Sequence, residues 1–415
     1  MQSTNSTTRV QWLPNGMTVV GEPMPDKRVA AWAFLIPAGS ATEPAGRDGI
    51  TNVLEGLCYR GAGARTSREL SDALDDLGID RGGGADSEYT TFGGATLGDY
   101  LADALTLYTD IIRRPRLPED EWQAQRDLAL QALDSLEDAP ARKMFVHLRG
   151  VYFPNAYGRS PLGTRDGLHG LTLEGLRADH ATRFRPDGAI VTLAGNFDFD
   201  RIVEHISALF ADWQGTPPAA GQPVPVVEPT YQHVAQDTSQ EQIGVASAGV
   251  PSDDPTIYDY RVATAILSGG MGARLFTEVR EKRGLVYSVS AGAHSYRGCG
   301  FSLAYAGTTP ERSQETLDVL LGELQRIAEG VSEGEVERAK VKLLSGLVMQ
   351  QESSRARAAA IARDQFILGR VRSLDEITAA IHRVTPHTIA AFYEAHPPGD
   401  FTVVTLGPKE LQVRV

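Results

Sequence analysis

Apolar and polar positions along the chain follow two different periods, so the sequence predicts both strands and helices. "GMTVVGEPM" and "RVAAWAFLIPAG" are rich in β-branched and aromatic residues, which is typical of strands. "SRELSDALDDLG" has helical spacing, with Ser67 as the predicted N-cap. "SEYTTFGGATL" is strand-like again, and a helical pattern follows it. Because no regular βαβ alternation occurs, we expect an α+β fold with a largely antiparallel sheet rather than a doubly wound one.

The pattern of the first half recurs in the second half. "LPEDEWQAQRDLALQAL" (117–133) resembles "VSEGEVERAKVKLLSGL" (331–347), because each has an acidic first turn followed by helical apolar spacing. "RPDGAIVTLAG" (185–195) resembles "PPGDFTVVTLG" (397–407), a turn followed by a β-rich strand. The two matches are separated by nearly the same number of residues in each half. This predicts an internal duplication into two homologous domains, each a mostly antiparallel β-sheet packed with α-helices.

A proline-rich segment, "GTPPAAGQPVPVVEP", divides the chain almost in half. Proline lacks a backbone N–H and favours extended conformations, as is typical of an interdomain linker. We therefore predict an N-terminal domain over 1–214, a linker over 215–229 and a C-terminal domain over 230–415.

Composition and charge restrict the possible partners. A chain of 415 residues with 42% hydrophobic and 22% charged residues is long enough for more than one core. Its net charge of −13 argues against nucleic acid and anionic membranes as partners. Cys58 and Cys299 form no C-x-x-C pattern, which suits a reducing compartment and excludes a cysteine-based zinc site. With no signal-peptide pattern at the N-terminus, we expect a cytoplasmic location.

Four stretches resemble the pitrilysin family of inverted zincins, in the branch that contains mitochondrial processing peptidase and small bacterial two-subunit peptidases. They are "GITNVLEGLCYRGAGART", "SRELSDALDDLG", "YGRSPLGTRDGLHGLTLEGLRADHATRFRPDGAIVTLAGNFD" and "LSGGMGARLFTEVREKRGLVYSVSAG". The resemblance extends over most of the chain. It implies two similar α+β domains in each chain and two such chains that close around a chamber.

The resemblance also implies where a zinc site would be. Active members carry H-x-x-E-H in the first stretch, where this chain has Asn52, Glu55 and Gly56. At the family's spacing the third ligand, a glutamate, falls at Ala132, and a supporting glutamate falls at Gln125. A catalytic zinc needs three protein ligands and an open position, so we predict no metal in this chain. Without a metal-activated water, Glu55 is expected to be an ordinary polar helix residue.

Two other candidate sites are not supported by their spacing. His382 and His387 are the closest pair among nine histidines, and a separation of five residues does not place them on one helix face. "LSGGMGARLF" (267–276) lacks the G-K-[ST] ending of a phosphate loop and the G-x-G-x-x-G spacing. We expect its glycines to form a flexible turn between helices rather than a nucleotide site.

The second half keeps two residues that the resemblance implies are substrate contacts. "RLFTEVREKRGLVYSVS" contains Arg280 and, seven residues later, Tyr287, at the positions of the family's arginine and tyrosine. A guanidinium offers fixed donors to substrate carbonyls, and a phenol can donate to an oxyanion. The alternative is that Arg280 belongs to a charged helix end and that Tyr287 is an aromatic residue of a strand.

This asymmetry gives the leading hypothesis: the chain is the non-zinc subunit of a heterodimeric metallopeptidase. Zinc is then expected in a homologous partner that bears an intact H-x-x-E-H, and Arg280 and Tyr287 serve that partner's site. Unfolded peptides are the expected substrates, bound in extended form at a sheet edge. The alternative is an inactive scaffold or a peptide-binding homodimer of the same fold. An autonomous zinc peptidase is a third, disfavoured possibility.

Overall fold

The computed structural model describes residues 8–413, and within this range the chain forms eleven strands and fourteen α-helices. The strands are β1 (Arg9–Trp12), β2 (Thr18–Pro23), β3 (Val29–Ile36), β4 (Asp80–Ala85), β5 (Thr90–Leu97), β6 (Ile190–Gly195), β7 (Thr230–Ala235), β8 (Glu241–Gly249), β9 (Val286–Tyr296), β10 (Cys299–Thr308) and β11 (Thr402–Gly407). The helices are α1 (Ile50–Cys58), α2 (Ser67–Asp76), α3 (Leu101–Arg113), α4 (Trp122–Asp134), α5 (Pro140–Tyr152), α6 (Arg165–His169), α7 (Leu173–Arg183), α8 (Phe199–Phe210), α9 (Ile257–Ser268), α10 (Ser313–Arg326), α11 (Glu333–Gln351), α12 (Ser354–Leu368), α13 (Leu374–Arg383) and α14 (Pro386–Ala395). A π-helical segment, Phe276–Glu281, precedes β9.

These elements form two compact units, each with its own sheet and core. The first unit contains residues 8–134, Arg159–Gly221 and Gln350–Val371, and the second contains Ser135–Gly158, Gln222–Met349 and 372–413. Each unit mixes strands and helices without a repeating βαβ order. The predicted α+β class with two domains is confirmed.

The two sheets share one topology. In the first unit the strand order is β1-β2-β6-β3-β5-β4, and β2–β6 is its only parallel pair among the described strands. In the second unit the order is β7-β11-β8-β10-β9, and β7–β11 is its only parallel pair in the same range. Apart from the extra β1, the orders and directions correspond strand by strand. This agreement confirms the predicted duplication.

Strand β3 is apolar on both faces, which explains its uninterrupted hydrophobic run. Trp32 and Phe34 point into the main core of the first unit. Ala31 and Leu35, on the opposite face, pack in a second cluster that includes Ile361 of α12. A strand that is buried on both faces loses the polar alternation of a half-exposed strand, because neither row of side chains meets water.

A buried ion pair holds α12 against the sheet of the first unit. The guanidinium of Arg357 donates from Nε to both carboxylate oxygens of Glu22 at 3.0 Å and from Nη2 to Oε2 at 2.5 Å. Thr192 of β6 adds a hydrogen bond from Oγ1 to the carbonyl oxygen of Ala358 at 2.9 Å. Helix α12 is therefore fixed by directional contacts as well as by apolar packing.

Helix α5 occupies the corresponding place in the second unit. Met144 and Leu148 of α5 approach Gly244 of β8 so closely that a Cβ at Gly244 would overlap the Met144 sulfur. The helix that covers each sheet therefore comes from the other half of the sequence.

The predicted domain boundaries are corrected in this respect. The change of unit at 221/222 falls inside the predicted linker 215–229, but the domains 1–214 and 230–415 are not contiguous units. Residues 135–158 group with the second unit and 350–371 with the first. The physical reason is that both faces of each sheet are apolar and both need cover.

Thr66, not the predicted Ser67, is the N-cap of α2. Its side chain accepts a hydrogen bond from the backbone N–H of Glu69, and the Glu69 carboxylate accepts one from the backbone N–H of Thr66. This reciprocal arrangement satisfies two of the helix's free donors.

Among the described residues, the helices are all too short or too polar to cross a membrane.

Candidate functional site

Helix α1, which carries the segment predicted to correspond to the zinc motif, is anchored at its first turn by buried polar groups. Gly49 precedes the helix with φ of 100° and supplies no capping side chain. The carboxylate of Glu43 accepts instead from the backbone N–H groups of Gly49, at 3.0 Å, and of Thr51, at 2.9 Å. Arg183, which is paired with Asp179 at 2.6 Å, donates to the Thr51 hydroxyl at 2.9 Å. The backbone that would present metal ligands is therefore held in place.

The second histidine position is filled by a neighbouring amide. A Cβ built on Gly56 would overlap Nε2 of Gln125 and lie 2.7 Å from its Cδ. Gln125 is on α4, which packs against α1, and its Oε1 accepts from Arg60 Nη2 at 3.4 Å. Glycine at position 56 and glutamine at position 125 thus fit each other in volume. The residues present do not fit a zinc ion, because the space for the second ligand holds an amide.

Glu55 lines a cavity of about 440 Å³ beside the edge strand β4. The cavity is also lined by Gln125, Arg60 and Arg81. The Glu55 carboxylate has neither a hydrogen bond nor an ion pair with another residue in the range 8–413. Burial raises the pKa of Glu55 to about 7. Glu55 is therefore a half-buried acid at a cavity, and the expectation that it has no special role stays a prediction.

Within the described range, His, Cys, Asp and Glu side chains form no group of three or more that could hold a metal ion. Several histidines are engaged elsewhere: His180 bonds to the Ile112 carbonyl at 2.8 Å and His233 to the Thr405 hydroxyl at 2.9 Å. That this chain binds no zinc stays a prediction.

We expect the purified chain to contain no stoichiometric zinc, and restoring the ligands should require removal of the covering amide. The triple variant Asn52→His, Gly56→His, Ala132→Glu supplies three donors but keeps Gln125 in the way. Adding Gln125→Ala should tighten zinc binding, because no side chain then has to be displaced. Zinc content during titration with a chelator measures the difference. About one zinc per wild-type chain would contradict the prediction.

Glu55→Gln should change the pH dependence of stability. The folded-state pKa of Glu55 lies above its ordinary value, so the folded chain holds this proton more tightly than the unfolded chain. Stability from this group is complete below about pH 4.5 and is lost as the pH rises through about 7. The variant should therefore melt higher than the wild type at pH 8 and equally at pH 4. Glu119→Gln, at an exposed position of the same unit, is the control. If the melting temperatures of the wild type and Glu55→Gln differ by the same amount at pH 4 and at pH 8, the expectation is refuted.

Arg280 and Tyr287 are brought together in the second unit. Arg280 is in the π-helical segment, and its Cζ lies 4.9 Å from the ring centroid of Phe276 and 5.7 Å from that of Tyr287. A guanidinium over two aromatic faces is attracted by both rings, so its position is restricted before any ligand binds. Helices with one wide π turn are frequent at functional sites.

The charges around Arg280 leave its guanidinium uncommitted. Glu278 accepts from Lys282 at 2.6 Å and from Arg283 at 2.9 Å, and these bonds lower the pKa of its carboxyl. The Arg280 guanidinium, by contrast, makes no hydrogen bond or ion pair within the described part of the chain. The Glu278 carboxylate is therefore shared by the two other cations. Arg280 is available to an external acceptor.

Tyr287 is the second residue of β9, which is an edge strand of its sheet. Its side chain is 83% exposed.

Phe276 was not identified from the sequence, although an aromatic residue four positions before an arginine on a helix is a recognisable signal. The glycine-rich turn lies, as predicted, between α9 and the π-helical segment.

Comparison with known proteins identifies the family. The profile described as "Insulinase (Peptidase family M16)" matches residues 18–165, and the profile described as "Peptidase M16 inactive domain" matches 170–343. An uncharacterised zinc protease of Streptomyces coelicolor is 29% identical, with 93% of this chain and 86% of that protein covered. The uncharacterised zinc protease YmxG of Bacillus subtilis is 25% identical, with 95% and 97% covered.

Solved structures agree with the fold. A peptidase M16 inactive domain from Pseudomonas fluorescens matches with a TM-score of 0.90 at 21% identity, covering 98% of this chain and all of that one. A protease from Helicobacter pylori matches with a TM-score of 0.87 at 19% identity, covering 97% and 100%. The two profile matches, which together extend over most of residues 18–343, show that the chain belongs to peptidase family M16, the family of the pitrilysin-type inverted zincins.

Proposed function

We propose that this chain is the non-zinc subunit of a heterodimeric M16 metallopeptidase. Zinc belongs in this proposal to a homologous partner with an intact H-x-x-E-H. The observation that carries the proposal is the uncommitted Arg280 guanidinium, restricted between Phe276 and the exposed Tyr287. A scaffold gains nothing from a cation that is positioned but unpaired.

Each residue has a definite chemical role in the proposal. Arg280 donates hydrogen bonds to carbonyl oxygens of a bound peptide, for which the planar guanidinium is suited. Tyr287 donates from its phenol to the oxyanion that forms at the scissile carbonyl when the partner's zinc-bound water attacks. The substrate is an unfolded peptide, since edge strands such as β4 and β9 offer unpaired backbone groups to an extended chain.

A second candidate is an inactive scaffold or a peptide-binding homodimer. The replacement of the family's zinc ligands on α1 is as consistent with this candidate as with the first. One structural neighbour is a chain of Complex III2 from Candida albicans with Inz-5 bound, with a TM-score of 0.82 at 20% identity and 97% and 96% covered. In this alternative Tyr287 and Arg280 have no catalytic role. A cytoplasmic location suits both candidates.

The test is reconstitution. The chain alone should show no chelator-sensitive peptidase activity, whereas a mixture with a homologous H-x-x-E-H chain should hydrolyse unfolded peptides and lose that activity with chelator. The mass of the mixed species shows whether a heterodimer forms. An equally active zinc subunit without this chain would refute the proposal.

Arg280→Ala should weaken peptide binding by the reconstituted pair. Its contacts with carbonyl oxygens exist before the transition state, so we expect KM to rise, by roughly tenfold for a lost hydrogen bond to a charged group. Lys282→Ala is the matched control, because Lys282 is on the same turn but is bound to Glu278. Steady-state kinetics of both variants decides, and equal KM values would remove Arg280 from the site.

A further inference from the structure

A small cavity of about 100 Å³ lies in the second unit, between the end of α9 and helix α11. On one side are Gly270 and Gly272 of the glycine-rich turn, and on the other are Glu335, Arg338 and Lys342 of α11. Neither the zinc motif nor the Arg280–Tyr287 pair includes any of these residues. The cavity therefore needs a separate explanation.

Two cations line this cavity without counter-ions. Arg338 and Lys342 are four residues apart on α11 and so lie on one face of the helix. Neither side chain forms an ion pair or a hydrogen bond with a residue in the range 8–413. Like charges at this spacing destabilise a helix slightly, and an anion between them would reverse the effect.

The one carboxylate on the cavity wall is already engaged. Glu335 accepts from Arg274 Nε at 2.7 Å and Nη2 at 3.2 Å, and from the backbone N–H and hydroxyl of Ser332 at 2.8 Å each. The bonds from Arg274, with those from Ser332, lower the pKa of Glu335 to about 2. Glu335 therefore stays ionised and committed, and it does not neutralise Arg338 or Lys342.

The opposite wall supplies further donors. Gly270 and Gly272 line the cavity, Gly270 with φ of 156°, and their backbone N–H groups, like that of Met271 between them, find no acceptor within the described part of the chain. Successive free N–H groups in a turn attract anions. A Cβ at Gly270 or Gly272 would meet no atom within 4 Å, so the space in front of the turn is open.

We propose that this cavity binds a small oxyanion between the glycine-rich turn and the Arg338–Lys342 pair. The charged side chains without a partner on its wall are both cations, and its volume of about 100 Å³ holds a phosphate or a carboxylate but not a nucleoside. The oxyanion is either free phosphate or the terminal carboxylate of a bound peptide. The peptide source rests on the proposed function, whereas the phosphate source does not.

Phosphate binding by the isolated full chain tests the site without zinc or a partner. Calorimetric titration with inorganic phosphate, at ionic strength held constant with chloride, should show saturable binding. Arg338→Gln and Lys342→Gln should each weaken binding by roughly 3- to 10-fold, and the double variant should abolish it. Both side chains are exposed, so folding should be unaffected, which melting temperature checks.

Arg383→Gln is the matched control, because Arg383 is an exposed cation of the same unit that is away from this cavity. Undiminished binding by the double variant, an equal loss in the control, or no binding by the wild type would each overturn the proposal. In a second arm, peptides ending in a free carboxylate are compared with their amides by fluorescence anisotropy. A preference for the carboxylate that phosphate abolishes identifies the peptide source, and phosphate binding without that preference identifies free phosphate. Neither result depends on hydrolysis, so a failed reconstitution would leave this test intact.

Discussion

Peptide hydrolysis by the reconstituted pair will fall roughly 10²–10³-fold when Tyr287 is replaced by phenylalanine, the loss expected for one oxyanion donor. The side chain is 83% exposed, so removal of its hydroxyl leaves no cavity and no buried unpaired group. Folding and subunit association should be unchanged. The effect should appear in kcat more than in KM, because the oxyanion exists only near the transition state.

The measurement is steady-state kinetics of the mixed subunits, with zinc content and heterodimer mass determined in parallel. Tyr100→Phe is a control for loss of an exposed phenol, since Tyr100 is 42% exposed and lies in the first unit. Wild-type rates for Tyr287→Phe, in a pair that is demonstrably active, would favour the scaffold alternative.

Arg357→Met should lower the free energy of unfolding of the first unit by about 3–5 kcal/mol, the usual cost of removing one partner of a buried ion pair. Arg357 is 7% exposed and Glu22 is 2% exposed. Methionine keeps much of the apolar stem, but it leaves the Glu22 carboxylate without three donor contacts in a buried place. The expected consequence is a weaker hold of α12 on the sheet of the first unit.

Arg355→Met, two residues earlier on α12, is the matched control. Arg355 pairs with Asp80 at 3.1 Å, and both side chains are exposed, so its loss should cost less than about 1 kcal/mol. Urea unfolding of the full chain, followed by a probe in each unit, separates the two effects. Equal stability of the two variants would show that the Arg357–Glu22 pair does not hold the helix.

Much of the fold follows from local pattern. The nearly equal spacing of two matched segments predicted the duplication, because each half repeats a helix and, at about the same separation, a β-rich strand. The strand orders agree with it. The discontinuity of the two units could not be predicted, because nothing in the sequence of α5 or α12 indicates which of two similar sheets it covers.

The candidate site was predictable residue by residue but not as an arrangement. Motif spacing predicted that Asn52 and Gly56 stand where the family has its two histidine ligands, and it singled out Arg280 and Tyr287, seven residues apart. It did not show that the Gln125 amide fills the space beside Gly56. That contact joins two helices far apart in sequence.

By itself the sequence determined the duplication into two similar domains and which side chains stand at each position, including Asn52 and Gly56 on α1, and Arg280 and Tyr287 seven residues apart. The tertiary structure decided which of those groups are free. Three cations occur in the five residues that follow Glu278, and only the folded chain shows that Lys282 and Arg283 pair with Glu278 and leave the Arg280 guanidinium unpaired. Composition and spacing depend on the order of residues, whereas pairing and burial depend on distances that the order of residues does not contain.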